Sequence, residues 1–269
     1  MKSVLITGAS SGIGKAIAMR LHAAGHKVYG SSRNPEKYPD VPFTLLELDV
    51  NKPETIARAL HQIAAAGDTV SVLVNNAGKG IAGALEEIPE GEAKAVFDTN
   101  FFGPVSLIKA VLPAMRQQKS GLIINITSMA GYMGLPYRSL YSATKSALEI
   151  ACEALSMEVK PFGVEIVTIA PGDFATNIAA GRYHAPLAAD SPYFEGYSTA
   201  LEMMNQQVDK GADPDEIAKM VESIMRKGAG KIHYKAASFT EKSGVVLKRI
   251  LPDKWYEKMM MKHFKLPAY

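Results

Sequence analysis

Cysteine is almost missing from this chain: Cys152 stands alone among 269 residues. No internal disulfide can form, and a reducing, cytoplasmic setting is expected. Cys152 falls in an apolar helical pattern, ALEIACEAL, which reads as a small buried side chain. Charge of one sign is scarcely in excess. A net charge of +3 with 21% charged residues and no arginine-rich block gives no reason to expect nucleic acid as a partner. No uninterrupted apolar run reaches the ~18 residues of a membrane-spanning helix. The opening MKSVLITG leads straight into a strand pattern, so no signal peptide is expected. Linkers, repeats and low-complexity segments are lacking too, and a single domain over 1–269 is expected. No metal site is expected.

Hydrophobic residues make up 47% of the chain, enough for a substantial core. Apolar runs of strand length alternate with helical patterns. VLIT (4–7), HKVYG (26–30), FTLLELDV (43–50), VSVLVNN (70–76), GLIINITS (121–128) and VEIVTIAPG (164–172) read as strands. Helices are expected to about Ala24, from Pro53 to Ala66, through 90–117, and from the Tyr141 region to Lys160. Continuously apolar strands are those buried on both faces. The pattern predicts an α/β fold, a doubly wound parallel sheet of Rossmann-type topology, with ligands at the carboxyl ends of the strands. Residues 173–212 leave this rhythm and read as a substrate lid. The tail 245–269 leaves it as well.

Chemistry enters at TGASSGIG (7–14), between the first strand and the first helix. Gly8, Gly12 and Gly14 permit a tight turn, close backbone approach and close helix packing. The helix N-terminus then offers free N–H groups and a positive dipole to a pyrophosphate. Where the second strand ends, in GSSRN (30–34), no acidic residue is placed to hold a ribose 2′-hydroxyl. Arg33 offers a planar cationic fork instead, with Ser10, Ser11 and Ser32 as hydroxyl donors, so NADP(H) is preferred and NAD(H) is left open. Asp49 and Val50 close the third strand. Asp49 either accepts from an adenine amino group or caps the helix near Pro53. Tyr141 and Lys145 in YSATK lie four residues apart on one helical face, where the lysine charge favours a phenolate. That pair is either an idle surface contact or an acid/base tuned for work near neutral pH.

Taken in order, TGASSGIG, NNAG (75–78), Asn100, Ser128 and YSATK resemble the short-chain dehydrogenase/reductase family over residues 1 to 235, nearest its hydroxysteroid and retinol dehydrogenase branch. The resemblance implies a catalytic tetrad of Asn100, Ser128, Tyr141 and Lys145. Tyr141 would be the general acid in carbonyl reduction and the base in alcohol oxidation, with Lys145 depressing its pKa and holding the cofactor ribose. Ser128 would donate to the substrate oxygen, and Asn100 would position a water that relays protons to Lys145. Asn76, Ala77 and Gly78 would shape the strand end beside the cofactor, and Ile13 would contact its phosphates. PGDFAT (171–176) matches a family pattern that holds the nicotinamide carboxamide, which implicates Pro171, Gly172, Phe174 and Thr176. A homo-oligomer, dimer or tetramer, through 90–117 and 140–160 is also implied.

The substrate must lie beside Ser128 and Tyr141. Met129, Tyr132, Met133 and Leu135 follow the serine, and Tyr183, Tyr193, Phe194, Met203 and Met204 belong to the lid. Such an apolar, methionine-rich wall suits a bulky ketone or secondary alcohol, steroid-like or retinoid-like. The tail LPDKWYEKMMMKHFKL (251–266) reads as a basic amphipathic helix, with Trp255, Tyr256, Met259, Met260 and Phe264 on one face. Packing of that face against protein ranks above peripheral membrane contact. The expected function is an NADP(H)-dependent oxidoreductase. A 3-oxoacyl-carrier reductase and a non-catalytic dinucleotide sensor are the alternatives.

Overall fold

Alternation along each strand divides the core into two layers. A computed structural model of the chain describes residues 1–174, 181–209 and 211–266. Its strands are β1 (Ser3–Ile6), β2 (Lys27–Ser32), β3 (Thr44–Glu47), β4 (Val72–Asn75), β5 (Ile81–Ala82), β6 (Gly121–Ile126), β7 (Val164–Pro171), β8 (Tyr183–His184) and β9 (His233–Ala236). Seven of the strands form one sheet in the order β3-β2-β1-β4-β6-β7-β9, every neighbouring pair parallel, and β5 pairs with β8 apart from it. Val4, Ile6, Val72, Val74, Ile124 and Val167 point to one face and Leu5, Leu73, Ile123 and Ile166 to the other. With helices on both faces, each of these side chains contributes roughly 1.5–3 kcal/mol of burial.

The helices are α1 (Gly12–Ala23), α2 (Pro53–Ala65), α3 (Glu90–Phe97), α4 (Gly103–Gln117), α5 (Ser139–Val159), α6 (Phe194–Asp209), α7 (Asp215–Lys227), α8 (Phe239–Ile250) and α9 (Asp253–His263). Ile17, Ala18 and Leu21 of α1 pack with Ile217, Ala218 and Val221 of α7 in the first layer. Arg20 fastens that pair from outside, donating to both Asp215 oxygens at 2.8 and 2.7 Å. Residues of α2, α4 and α5 fill the second layer. By length and composition 90–117 is apolar enough to cross a membrane. Its apolar face, however, is taken by the sheet through Leu107, Val111 and Met115, and a π-helical turn at Asp98–Phe102 interrupts it.

Two features differ from the sequence expectation. The sheet has a seventh strand, β9, in HYKA; it lies at the sheet edge, where only one neighbour needs to be satisfied and polar or charged residues are tolerated. The lid carries a helix, α6, whereas the tail is helical as its amphipathic pattern predicts. Strand order reverses between β1 and β4, which opens a crevice at the carboxyl ends of the strands.

Candidate active site

The turn after β1 is built for close approach. Gly8 and Gly12 sit at φ of 65° and 52°, in the left-handed region that favours glycine. A Cβ on Gly14 would stand 2.3 Å from the Gly8 carbonyl oxygen and 2.4 Å from Asn76 Nδ2. Asn76 Nδ2 itself donates to the carbonyls of Thr7 and Gly8, at 2.9 and 3.2 Å, while Thr7 Oγ1 accepts from the amides of Asn76 and Ala77. These bonds clamp the end of β4 to the turn. No side chain caps α1, so its first amides face the crevice, where Ser10, Ser11, Gly12 and Ile13 line the wall. The cradle fits a pyrophosphate. Gly14 acts behind it, as a packing position rather than a wall residue.

One cavity of about 1450 Å³ runs from this turn across the strand ends. At one extremity lie Ser32, Arg33, Asp49 and Val50. Ser32 Oγ accepts from the Asn34 amide at 3.2 Å, and Arg33 is exposed at the rim. Asp49 does not cap α2, whose N-cap is Lys52; its carboxylate accepts from the Asn51 amide at 3.0 Å and borders the cavity.

Midway, the predicted catalytic residues come together. Ser128 lies two residues past β6 and caps a short turn, its Oγ accepting from the Ala130 amide at 3.1 Å, which leaves the hydroxyl proton to donate elsewhere. Tyr141 and Lys145 project from the first turns of α5 into the same space. Lys145 Nζ donates to the Ile126 carbonyl at 3.0 Å and stands 5.9 Å from the centre of the Tyr141 ring. Asn100 is buried in the π-helical turn, behind the wall. Its Oδ1 accepts from the Lys79 amide at 2.8 Å, and its Nδ2 donates to the Lys79 carbonyl at 2.9 Å and to Thr144 at 3.2 Å. Gly78 separates it from Lys145: a Cβ there would meet Asn100 Oδ1 at 3.3 Å and Lys145 Nζ at 3.7 Å. Ala77, Gly78, Pro171, Gly172 and Phe174 also line the cavity. Thr176 lies outside the described residues.

On the substrate side only some of the expected residues reach the cavity. Met129, Met133 and Leu135 face the cavity, with Met203 and Met204 of α6 and Met259, Met260 and Phe264 of the tail. Tyr132 does not; it turns toward β9, edge-on to His233 and under Lys235 Nζ, 4.4 Å from its ring centre. Tyr183, Tyr193 and Phe194 do not line it either. Tyr183 packs the β5–β8 pair, Tyr193 donates to Glu86 at 2.6 Å near the surface, and Phe194 is partly exposed. They fasten the lid, as does the fully buried Tyr197, which donates to the Ala82 carbonyl at 2.9 Å.

Three charged residues that sequence reading passed over share the wall: Arg138, Asp173 and Arg182. The Arg138 guanidinium lies 5.0 Å from the Tyr141 ring centre. Burial, then the Arg138 charge, lowers the Arg182 pKa, while burial and the Glu241 carboxylate raise that of Asp173. A loop arginine reads as solvated in sequence, and no spacing signal marked these two. Cys152 is inert: burial pushes its thiol up to about 12.

Behind the site, Glu149 of α5 is buried and accepts from Thr127 Oγ1 and, at 2.7 Å, from Thr168 Oγ1, with His233 Nδ1 also at 2.7 Å. It ties the helix of Tyr141 to the residue before Ser128 and to the neighbouring strands β7 and β9. Glu149→Gln replaces one acceptor oxygen by a donor and is expected to cost about 1.5 kcal/mol, a fall in Tm of roughly 4 °C. Calorimetry of the two proteins checks this, and an unchanged Tm would show that the network holds nothing together.

The short chain dehydrogenase family model matches residues 2–186. The 3-ketodihydrosphingosine reductase of Bacteroides thetaiotaomicron is 38% identical over 251 residues, covering 93% of each chain. Retinol dehydrogenase 8 of Bos taurus is 32% identical over 246 residues, 83% of this chain and 78% of the other. A solved short-chain dehydrogenase from Streptomyces avermitilis is similar with a TM-score of 0.80 at 31% identity, covering 98% of this chain and 96% of that one.

Proposed function

Because the chain belongs to the short-chain dehydrogenase/reductase family, oxidoreductases that bind nicotinamide dinucleotides, we propose that it transfers hydride between NADP(H) and a long, apolar ketone or secondary alcohol. The observation that carries this reading is the continuity of the cavity. It joins the glycine turn, Ser128, Tyr141 and Lys145 to an end lined by Met129, Met133, Met204, Met260 and Phe264. Steroid-like and retinoid-like substrates fit this apolar end. The polar rim of Arg138, Arg182 and Asp173 favours an amphiphile with an oxygenated head, and the similarity to a 3-ketodihydrosphingosine reductase points the same way. A reducing, cytoplasmic setting accords with the lone buried thiol. Exposed Phe102, Ile150 and Met157 on the 90–117 and 140–160 helices support the expected homo-oligomer.

A nicotinamide dinucleotide bound at the glycine turn would supply the hydride. The chain supplies the proton and the charge. Tyr141 Oη protonates the carbonyl oxygen in reduction and takes the proton back in oxidation. Ser128 Oγ–H donates to the same oxygen as negative charge develops there. Lys145, anchored on the Ile126 carbonyl at 3.0 Å, holds its ammonium 5.9 Å from the centre of the Tyr141 ring. Asn100 fixes the peptide groups of Lys79 and with them the wall next to Lys145. All the tetrad positions are filled, which favours turnover over a sensor.

Arg33 at the end of β2, with no carboxylate among residues 30–34, is the basis for preferring NADP(H). Arg33→Ala removes a charge-assisted bond and is expected to lower kcat/KM for NADPH by roughly 10- to 100-fold, with NADH almost unaffected. Steady-state rates with both cofactors test it; an equal loss for both, or none, would remove Arg33 from phosphate recognition.

A further inference from the structure

Helices α8 and α9 carry two faces. Gly244, Leu247, Met259, Met260 and Phe264 line the cavity. On the outer side of α8, Phe239, Val246 and Ile250 follow one another at seven and four residues, which puts them on one stripe. Phe239 is 86% and Ile250 68% exposed. Trp255, in the first turn of α9, was expected on the inner face with Tyr256 and Phe264, yet it is 71% exposed. Lys258 and Lys262, three and seven residues on, are exposed on the Trp255 stripe.

Charge separates this surface from the rest of the chain. Residues 239–266 hold seven basic and three acidic side chains, a net +4 in a chain whose total is +3. Glu241 is turned inward, closing the N-terminal cap of α8 and accepting from the Asp173 amide at 3.1 Å, and Glu257 is paired with Lys254 at 2.8 Å. Lys242, Arg249, Lys258 and Lys262 are exposed and make no ion pair among the described residues. A second copy meeting this face through a twofold axis would set +4 against +4, which argues against self-association there. Large apolar side chains set among free lysines match the boundary between anionic headgroups and acyl chains. Tryptophan is favoured at that depth because one end of the ring is apolar and the other is wet.

We propose that the outer face of α8 and α9 docks the protein on an anionic lipid bilayer, with Phe239, Ile250 and Trp255 entering the headgroup region and Lys258 and Lys262 meeting lipid phosphates. The same two helices wall the cavity, so docking brings the cavity to the lipid surface. This goes beyond the oxidoreductase reading and does not depend on it, since vesicle binding is measured without turnover.

Trp255 is the sole tryptophan, so its emission reports on this face alone. The full chain is titrated with vesicles of phosphatidylcholine, pure or mixed with phosphatidylglycerol. A saturable blue shift is expected with the mixed vesicles only, reversed by high salt. Lys258→Gln with Lys262→Gln should weaken partitioning by about 30-fold. Phe239→Ser with Ile250→Ser, Trp255 retained, should abolish the shift while circular dichroism stays unchanged. Emission indifferent to both vesicles would overturn the proposal. So would a shift that follows protein concentration without lipid and accompanies a doubled mass in light scattering, because the face would then be a contact between copies.

Discussion

Replacing Tyr141 by phenylalanine is expected to lower kcat by roughly 10³-fold and to leave dinucleotide affinity nearly unchanged. The ring keeps its place: it is buried against Ile81, Val96 and Ala130, with the Arg138 guanidinium over it. The hydroxyl makes no hydrogen bond to the described residues. Its loss therefore removes the proton donor with little disturbance to packing. Rates of NADPH consumption, read beside fluorescence titration of NADPH, separate the two effects. Activity near wild type would place the proton source elsewhere, and loss of cofactor affinity in step with activity would mean a general structural fault.

Gly14→Ala is the second large effect, and it strikes binding and stability together. The new Cβ would meet the Gly8 carbonyl oxygen at 2.3 Å and Asn76 Nδ2 at 2.4 Å. Neither group can retreat: Gly8 is fixed by its left-handed backbone, and Asn76 by bonds to the carbonyls of Thr7 and Gly8. Relief must come from displacing the whole turn. Overpacking of this kind costs about 3 kcal/mol, a Tm fall of roughly 6–10 °C. The amides that face the crevice move with the turn, and dinucleotide affinity is expected to drop on the order of 100-fold. Gly91→Ala is the control. It lies in α3, where an added Cβ meets nothing within 4 Å, and it should stabilise slightly, by about 0.5–1 kcal/mol. Equal behaviour of the two variants in calorimetry and cofactor titration would remove the clash as the cause.

The inner strands were legible because they are continuously apolar, as β4 and β6 show in VLVN and GLIINI. β9 was not, because an edge strand with His233 and Lys235 carries no apolar run. Gly8, Ser128, Tyr141 and Lys145 stood out because each is tied to a strand end or a helix start, and the structure gathers them on one cavity. Lid residues are harder to place. Periodicity marks Tyr183, Tyr193 and Phe194 as apolar without saying which side of the lid they serve, and they hold it down while Met203 and Met204 face the cavity. In the tail, Trp255 faces out and Phe264 is buried; nine residues is two and a half helical turns, so their spacing sets them on opposite faces and the one-face reading was wrong. Glu149 and His233 are 84 residues apart, so only the folded sheet brings them together.

The proposed activity is hydride transfer between NADP(H) and an apolar carbonyl compound. Loss of NADPH absorbance with 3-ketodihydrosphingosine, a retinal and a steroid ketone, run beside NADH and beside Tyr141→Phe, tests it most directly. Saturable turnover of at least one of the three with NADPH, slower turnover with NADH, and almost none from the variant are expected. NADPH bound tightly but consumed with none of them would contradict it and leave a dinucleotide-binding protein that is not a reductase of apolar ketones.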